Sequence, residues 1–304
     1  MKFLHLSDLH LGRRLQDVSL LEDQQYILQQ ILDLIQDRKP DAVLIAGDIY
    51  DKAVPSAEAV RLLDWFLTEL AKHHVPVLMV SGNHDSAERL SFGAQLLCNS
   101  SVYVSSVFEG AEPPVTLQDE QGEVRVYMLP FIKPVHVRRV FPEAEVTDYT
   151  EAVRTVIDAW APDPTKRNVL ITHQFVSGGL RSESEAISVG GLDDVSGEIL
   201  EVFDYVALGH LHRAQSVGRE TIRYCGTPLA YAFSEGDQTK SVTWVELNEK
   251  GVVRVQKSEL APLRAVETVK GSFDQINQGT SENYLRIILT DDQDIPNALS
   301  RLQY

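Results

Sequence analysis

The sequence predicts an α/β fold, in which helices cover β-sheets. Over about the first hundred residues, short apolar runs alternate with longer amphipathic stretches, as expected for strands followed by helices. After about residue 101 the apolar runs are short and closely spaced, and one clear helical stretch, 148–160, lies among them. The 304 residues are 43% hydrophobic, which is enough to bury a sizeable core.

The elements of the first part follow in order along the chain. Strands are predicted at 2–7, 41–47 and 75–81, and helices at 20–39, 56–74 and 86–98. The helix at 56–74 has the clearest signal, because Ser56 can cap its first turn and its apolar residues recur on one face.

The second part is predicted to be rich in strands, which would lie at 101–106, 123–130, 167–173, 203–210, 221–226 and 240–247. Two stretches, 109–122 and 177–194, have the composition of loops or lids. Residues 257–271 are more polar, and a small unit is expected after them, with a strand at 283–292 and the beginning of a helix at 295–304.

Charge and composition exclude several classes of protein. The formal net charge is −16, so a nucleic-acid partner would have to be bound locally or through metal ions. No apolar run is long enough to span a membrane, the N-terminus has no secretory signal pattern, and two cysteines are too few for a disulfide framework. We therefore expect a cytoplasmic protein that is not in a membrane.

Side chains that can bind metal ions lie at the ends of five predicted strands. In chain order they are Asp8 and His10; Asp48 and Asp51; Asn83, His84 and Asp85; His173; and His210 and His212. Loops at the carboxyl ends of neighbouring strands meet at one rim of a sheet, so these residues are expected to lie close together. The mixture of imidazole, carboxylate and amide favours a pair of ions such as Mn²⁺, Fe²⁺ or Zn²⁺ over an all-oxygen Mg²⁺ or Ca²⁺ site.

Each of these motifs is weak by itself. A D-x-H, H-x-H or G-N-H-D segment at a strand end is more often a turn or a structural hydrogen-bonding group than a ligand. Five such segments, each closing an apolar run, are poorly explained by coincidence.

The order D-x-H, G-D-x-x-D, G-N-H-D, a single His and G-H-x-H resembles the calcineurin-like binuclear metallophosphoesterases. The segments FLHLSDLHLG, VLIAGDIYD and YVALGHLHRAQ, with IRYCGTPLAYAFSE after the last, are similar to the SbcD-type nuclease subunits of bacterial SbcCD DNA-repair complexes. This resemblance implies a four-layer α/β/β/α sandwich of two mixed β-sheets flanked by helices over residues 1–260. PLRAVETVKGSF and YLRIILTD resemble the start of that family's small α+β DNA-capping domain, which would occupy 261–304 and be incomplete.

The resemblance also implies two divalent metal ions, with Mn²⁺ expected, and a role for each motif residue. Asp8, His10, Asp48 and His212 would hold the first ion, and Asp48, Asn83, His173 and His210 the second. His84 would stay free of metal and act as the catalytic acid, its ring oriented by Asp85 or by a backbone group. Asp51 lies where some relatives have a second active-site histidine, so its role is left open.

The implied reaction is hydrolysis of DNA phosphodiester bonds, by exonuclease and endonuclease action, in the processing of double-strand breaks and hairpins. Two cations about 3.5–4 Å apart can activate water and neutralise the phosphate, and an imidazolium can protonate the leaving oxygen. The implied partners are DNA, an SbcC-type ABC ATPase whose binding segment is expected beyond residue 304, and a second copy of the chain, bound near helices 56–74 and 86–97.

Four arginines are candidates for contacts with the DNA backbone: Arg13, Arg14, Arg213 and Arg89. The stretch 124–142 contains no acidic residue, and it is either a solvated edge or another phosphate-contacting patch.

Two other functions remain open from the sequence. The chain could be a hydrolase of the same superfamily that acts on small phosphoesters, cyclic nucleotides or phosphoproteins, because such enzymes share every metal ligand. It could also be a non-catalytic scaffold, but that reading predicts lost ligands, and every motif is complete.

Overall fold

In the computed structural model, which describes residues 1–181 and 193–302, two six-stranded β-sheets lie face to face and helices cover both outer sides. The described strands are β1 Lys2–Leu6, β2 Arg14–Leu15, β3 Val18–Ser19, β4 Ala42–Ala46, β5 Val77–Val80, β6 Val102–Ser105, β7 Val115–Asp119, β8 Gly122–Leu129, β9 Arg167–Thr172, β10 Tyr205–Leu208, β11 Gln215–Val217, β12 Arg219–Tyr224, β13 Ser241–Leu247, β14 Val253–Glu259, β15 Val266–Gly271 and β16 Tyr284–Leu289. The described α-helices are α1 Leu21–Arg38, α2 Ala57–Lys72, α3 Ala87–Leu90, α4 Ala94–Leu97, α5 Pro134–Val140, α6 Tyr149–Trp160, α7 Phe273–Ile276 and α8 Ala298–Leu302.

Both large sheets are mixed. The first has the strand order β14-β13-β1-β4-β5-β6, in which β1, β4, β5 and β6 are parallel and the other two strands are joined by antiparallel pairing. The second has the order β11-β12-β10-β9-β8-β7, with four parallel strands in its centre and an antiparallel strand at each edge. The predicted fold class is therefore confirmed.

Three apolar clusters separate the four layers. The central cluster lies between the sheets and includes Phe3, Leu44, Val126 and Tyr205. One outer cluster packs α1 and α2 against the first sheet, and the other packs α5 and α6 against the second. The parallel strands are buried on both faces, which explains why their sequences are continuous apolar runs rather than alternating patterns.

Three local predictions were wrong. The expected loop at 109–122 contains β7, an edge strand in which half-buried and exposed residues alternate. The expected helix at 86–98 is divided into α3 and α4, because Gly93 adopts a left-handed φ of 74°. The edge strand β14 was not predicted, because its sequence is mostly polar.

The predicted loop at 177–194 lies partly outside the described residues, at 182–192. Within the part of the chain that is described, no helix has the length and apolar character needed to cross a membrane.

The C-terminal segment forms its own small sheet, in which β15 and β16 are parallel. Arg264, just before β15, pairs with Glu22 and, at 3.3 Å, with Asp23 of α1. The hydroxyl of Tyr284 donates to Asp23 at 2.7 Å. These polar contacts hold the segment against the first helix.

Candidate metal centre

The carboxyl ends of five strands from both sheets converge on one cluster. Asp8 and His10 follow β1, Asp48 follows β4, Asn83 follows β5, His173 follows β9, and His210 and His212 follow β10. In the first sheet β1, β4 and β5 are neighbours, and in the second β9 and β10 are neighbours. The structure therefore brings together all seven residues that the sequence suggested as metal ligands.

One half of the cluster contains Asp8, His10 and His212. Each of these residues offers a ligand atom, and the three atoms lie within 4.8 Å of one another. All three side chains are buried. The Asp8 carboxylate is fixed from below, because it accepts the backbone N–H of His210 at 2.9 Å.

The other half is centred on Asn83. Its Oδ1 atom lies 3.0 Å from Nε2 of His173 and 2.9 Å from Nδ1 of His210. Asp48 lies between the halves, since its Oδ2 atom is 3.3 Å from Nε2 of His173 and 3.6 Å from Nε2 of His10. A carboxylate in this position can offer an oxygen to each half.

Several buried nitrogen atoms of the cluster have no hydrogen-bond partner within the described residues. They are both ring nitrogens of His10 and Nε2 of His210. Leaving buried polar atoms unsatisfied costs free energy, and in native proteins such atoms are usually explained by a water, an ion or a catalytic role. Divalent cations would satisfy these atoms, so the donor set fits a pair of metal ions.

The protonation properties of the cluster are strongly coupled. Burial raises the pKa of Asp8 to about 6. Burial would also raise the pKa of Asp48, but His173 and His10 hold it well below its usual range. Burial lowers the pKa of His10 well below normal and that of His210 to about 3, which favours the neutral imidazole that can bind a metal.

The backbone is strained at the ligands themselves. Four of them have positive φ angles, namely Asp8 at 52°, His10 at 43°, Asp48 at 49° and His210 at 105°. Such conformations cost of order 1–3 kcal/mol each for residues other than glycine, and they are concentrated at functional sites. The chain turns sharply at the strand ends to direct these side chains into one cluster.

Glycines before the ligands make room for these turns. A Cβ atom on Gly82 would lie 2.1 Å from Oδ1 of Asp48, and one on Gly209 would lie 1.8 Å from the carbonyl oxygen of Ala46. A Cβ atom on Gly47 would lie 2.4 Å from Nδ1 of His173. The glycines of the G-D, G-N-H-D and G-H-x-H motifs are thus required by close packing around the cluster.

His84 lies beside the cluster and is half-buried. Its Nδ1 atom is 3.0 Å from the backbone carbonyl oxygen of Asp51, which can only accept, so Nδ1 carries the donated proton. Its ring is 4.9 Å from that of His10, and a ring nitrogen of His84 comes within 4.8 Å of the ligand atoms of His10 and Asp48.

Asp85 does not hold the ring of His84. Its carboxylate accepts hydrogen bonds from three backbone N–H groups, those of Ile49 at 3.1 Å, Tyr50 at 2.9 Å and Gly82 at 2.9 Å. Of the two alternatives that the sequence left open, the backbone group orients the imidazole, and the suggestion that Asp85 does so is corrected. Asp85 instead joins the loop after β4 to the loop after β5.

The predicted DNA-contacting arginines differ in their surroundings. Arg13 pairs with the carboxylate of Asp51 at 2.8 Å and is a quarter exposed, so part of its charge is already neutralised. Arg14 is partly exposed and donates to the backbone carbonyl of Asp17. Arg89 and Arg213 are exposed.

The stretch 124–142 is not a uniform basic surface. Arg125 pairs with Glu123 at 2.6 Å, and Arg138 donates to the carbonyl oxygen of Val146 at 2.7 Å. Lys133 and Arg139 are exposed.

Sequence reasoning missed two groups that hold the histidines. The carboxylate of Glu235, in the 3-10 turn Phe233–Glu235, lies 2.9 Å from Nδ1 of His212. The carbonyl oxygen of Ala46 lies 2.8 Å from Nδ1 of His173. An acidic residue after the apolar PLAYAF segment could have pointed to Glu235, whereas a backbone carbonyl leaves no signal in the sequence.

Comparisons with known proteins agree with this geometry. The calcineurin-like phosphoesterase family model matches residues 1–214. The SbcD subunit of the SbcCD nuclease of Staphylococcus epidermidis is 33% identical over 312 aligned positions, which cover 100% of this chain and 82% of that protein.

The solved structures that match are more distant in sequence. A dimetal phosphatase from Danio rerio is 13% identical, with a TM-score of 0.50 over 88% of this chain and 99% of that one. A Thermus thermophilus protein, TT1561, is also 13% identical, with a TM-score of 0.48 over 84% of this chain and 98% of that one. The match of the family model to most of the chain, and the identity to a relative over the whole chain, lead to one conclusion: the chain is a hydrolase of the calcineurin-like phosphoesterase family.

Proposed function

We propose that this chain is a Mn²⁺-dependent DNA nuclease with exonuclease and endonuclease activity, which acts on double-strand breaks and hairpins. The observation that carries the proposal is the 33% identity, over the whole chain, to a protein named as a nuclease subunit. Replication and recombination are contexts in which such breaks and hairpins arise.

The proposed metal ligands divide between two sites. Asp8, His10, Asp48 and His212 hold the first ion, and Asp48, Asn83, His173 and His210 hold the second. When bound, two divalent cations supply Lewis acidity toward the phosphate and activation of the attacking water. The position of Asp48 between His10 and His173 supports its assignment as the shared ligand.

His84 is proposed to donate a proton to the leaving oxygen of the nucleotide. The Asp51 carbonyl accepts from Nδ1 at 3.0 Å, so the proton for transfer is carried on Nε2. Its half-buried position leaves the ring accessible from solvent, where a DNA strand would approach. General acid catalysis of this kind typically accelerates a reaction about 10²–10⁴-fold.

DNA is proposed to contact Arg14, Arg89 and Arg213 through its phosphates, with Arg13 contributing after exchange of its partner Asp51. A few local cations are sufficient for this role in an acidic chain, because each phosphate contact releases counterions.

The other proposed partners are proteins. The relative is named as a subunit of a two-component complex, so an SbcC-type ATPase is proposed as a partner. A homodimer is proposed through the surface around α3 and α4, where Phe92 is 88% exposed and Leu96 is 75% exposed. Residues 261–304 are proposed to begin a DNA-capping unit, and the complex is proposed to act at the nucleoid in the cytoplasm.

The experiment that tests the proposed activity compares DNA with a small substrate. End-labelled duplex and hairpin DNA and bis(p-nitrophenyl) phosphate are incubated with Mn²⁺ and the wild-type chain, the His84→Ala variant, or a His73→Ala control at the exposed end of α2. Cleavage of DNA by the wild type and the control, and its loss in the His84 variant, supports the proposal. Ready hydrolysis of small phosphoesters without any cleavage of DNA would favour the small-substrate alternative.

A further inference from the structure

Glu235 is a fully buried carboxylate directly behind one of the proposed metal ligands. Its Oε1 atom lies 2.9 Å from Nδ1 of His212, and neither side chain is more than 6% exposed. We infer that Glu235 is a positioning residue, which holds His212 in the tautomer and orientation needed to bind the first metal ion. This inference rests on the proposed metal sites and identifies what supports one of their ligands.

The tautomer follows from the chemistry of the hydrogen bond. An ionised carboxylate can only accept, so the proton of the neutral imidazole is on Nδ1 and the lone pair is on Nε2. A lone pair on Nε2 is directed to the side of the ring away from Glu235. Ligating histidines commonly donate their other ring N–H in this way, which fixes the ring and raises its basicity.

Lys240 holds the other oxygen of the same carboxylate. Its Nζ atom lies 2.7 Å from Oε2 of Glu235, 2.8 Å from Oγ1 of Thr227 and 3.2 Å from the carbonyl oxygen of His212. Tyr231 adds a backbone N–H at 3.3 Å from Oε2. The carboxylate is therefore fixed on one side by Lys240 and Tyr231, and its other oxygen is directed at His212.

The four proposed histidine ligands differ in how they are supported. His212 has a charged partner, and His173 has the carbonyl oxygen of Ala46 at 2.8 Å. Within the described residues, His10 has no hydrogen-bond partner at either nitrogen. The first ion thus relies on Glu235 for the orientation of its ligands, whereas the second does not contact His212. Loss of Glu235 should affect the two ions unequally.

A matched control exists elsewhere in the chain. Asp204 is a buried carboxylate that pairs with Lys250 at 2.8 Å and accepts the backbone N–H of Asn168 at 2.7 Å. It resembles Glu235 in burial and in having a lysine partner, but the groups that contact it lie in β9 and after β13, away from the strand ends that carry the metal ligands. Replacing it perturbs a similar ion pair without altering a metal ligand.

The test measures Mn²⁺ binding rather than catalysis. Free Mn²⁺ is followed by electron paramagnetic resonance while the metal is titrated into the wild type, Glu235→Gln and Asp204→Asn. For Glu235→Gln we expect one of two sites to weaken about 10–100-fold while the other is unchanged, and we expect DNA cleavage to return at high Mn²⁺ concentration. Asp204→Asn is expected to bind both ions as the wild type does.

Two results would overturn the inference: unchanged affinity of both sites in Glu235→Gln, or equal weakening in Asp204→Asn. If the Glu235 variant does not fold, ¹⁵N spectra of the histidine rings of the metal-free wild type give a second test, because a proton on Nε2 of His212 contradicts the proposed tautomer. A wild-type chain that binds two ions but never cleaves DNA would contradict the nuclease proposal and leave this inference standing.

Discussion

His84 and Asp51 are neighbours in space, but they are proposed to act through different parts of the residue. His84 acts through its imidazole, whereas Asp51 orients that ring through its backbone carbonyl and uses its carboxylate to pair with Arg13. We therefore expect Asp51→Asn to lower kcat by less than about tenfold, because a partly exposed ion pair contributes about 1 kcal/mol or less. His84→Ala should lower kcat about 10²–10⁴-fold.

The measurement is the steady-state rate of DNA cleavage at saturating Mn²⁺ for both variants. The Asp51→Asn chain keeps the backbone carbonyl that accepts from His84, so it serves as the matched control for orientation of the ring. A loss in Asp51→Asn as large as that in His84→Ala would mean that the carboxylate itself takes part in the reaction.

The individual ligands could be predicted because each lies within a few residues of an apolar run. Asp48 and Asn83, for example, follow the runs that form β4 and β5, so the local sequence already places them at a strand end. Glu235 could not be assigned in this way, since its partner His212 is 23 residues away and the contact depends on how the intervening chain folds back. The roles of Asp85 and Asp51 depend on backbone partners, which side-chain patterns do not encode.

At the scale of the elements, the loops after the strands depend on close backbone approach. Gly82 follows β5, and a Cβ atom there would lie 2.4 Å from the backbone nitrogen of Asp48 as well as 2.1 Å from its Oδ1. Gly82→Ala should therefore displace Asp48 and remove Mn²⁺ binding and activity together. Gly197→Ala is the control, because its new Cβ would be 3.6 Å from Val176, an ordinary contact.

Metal stoichiometry and DNA cleavage are measured on both glycine variants, with circular dichroism to check that each is folded. The folded Gly82 variant is expected to bind fewer than two Mn²⁺ ions, and the Gly197 variant to behave as the wild type. Normal Mn²⁺ binding by Gly82→Ala would show that the loop can relax around the methyl group.

The elements that the sequence failed to predict share a physical cause. β7 and β14 lie at the edges of the two sheets, where one side of each strand has no neighbouring strand within the large sheets and polar residues are tolerated. Without a continuous or alternating apolar pattern, such strands resemble loops in sequence. The interruption at Gly93 depends on one residue with a left-handed backbone, which helical periodicity does not reveal.

At the scale of the whole molecule, Arg167 joins the two sheets. It begins β9, pairs with Asp119 of β7 at 2.5 Å, and donates to the carbonyl oxygen of Asn248, just after β13, at 3.1 Å. The N-terminal ammonium of Met1 lies 2.7 Å from the same Asp119. Asp119→Asn should lower the free energy of unfolding by about 1–3 kcal/mol at pH 7, because hydrogen bonds to charged groups contribute this much.

The pH dependence of this contribution has a definite sign. The hydrogen bond from Arg167 holds the pKa of Asp119 well below its usual range. A depressed pKa stabilises the fold above the unfolded value of about 3.9, and the stabilisation is lost as the pH falls toward the folded value. In urea unfolding, the difference between wild type and Asp119→Asn should narrow below about pH 4, while Glu58→Gln, in an exposed pair, should change stability little at any pH. A difference that grows at low pH would contradict this account.

The metal centre is the second connection between the sheets, because its ligands follow strands of both. Ions that bind the folded chain and not the unfolded one stabilise it by about 2.7 kcal/mol at a concentration 100 times Kd, or about 5 °C in Tm for a chain of this size. Adding Mn²⁺ should therefore raise Tm, and chelation should reverse the rise. His173→Ala removes a second-sheet ligand that contacts Asp48 and Asn83 of the first sheet, so most of the rise should be lost. His73→Ala, at the exposed end of α2, should keep it. Differential scanning calorimetry with and without Mn²⁺ measures all three chains, and an equal rise in the His173 variant would mean that Mn²⁺ stabilises the molecule elsewhere than at the joined strand ends.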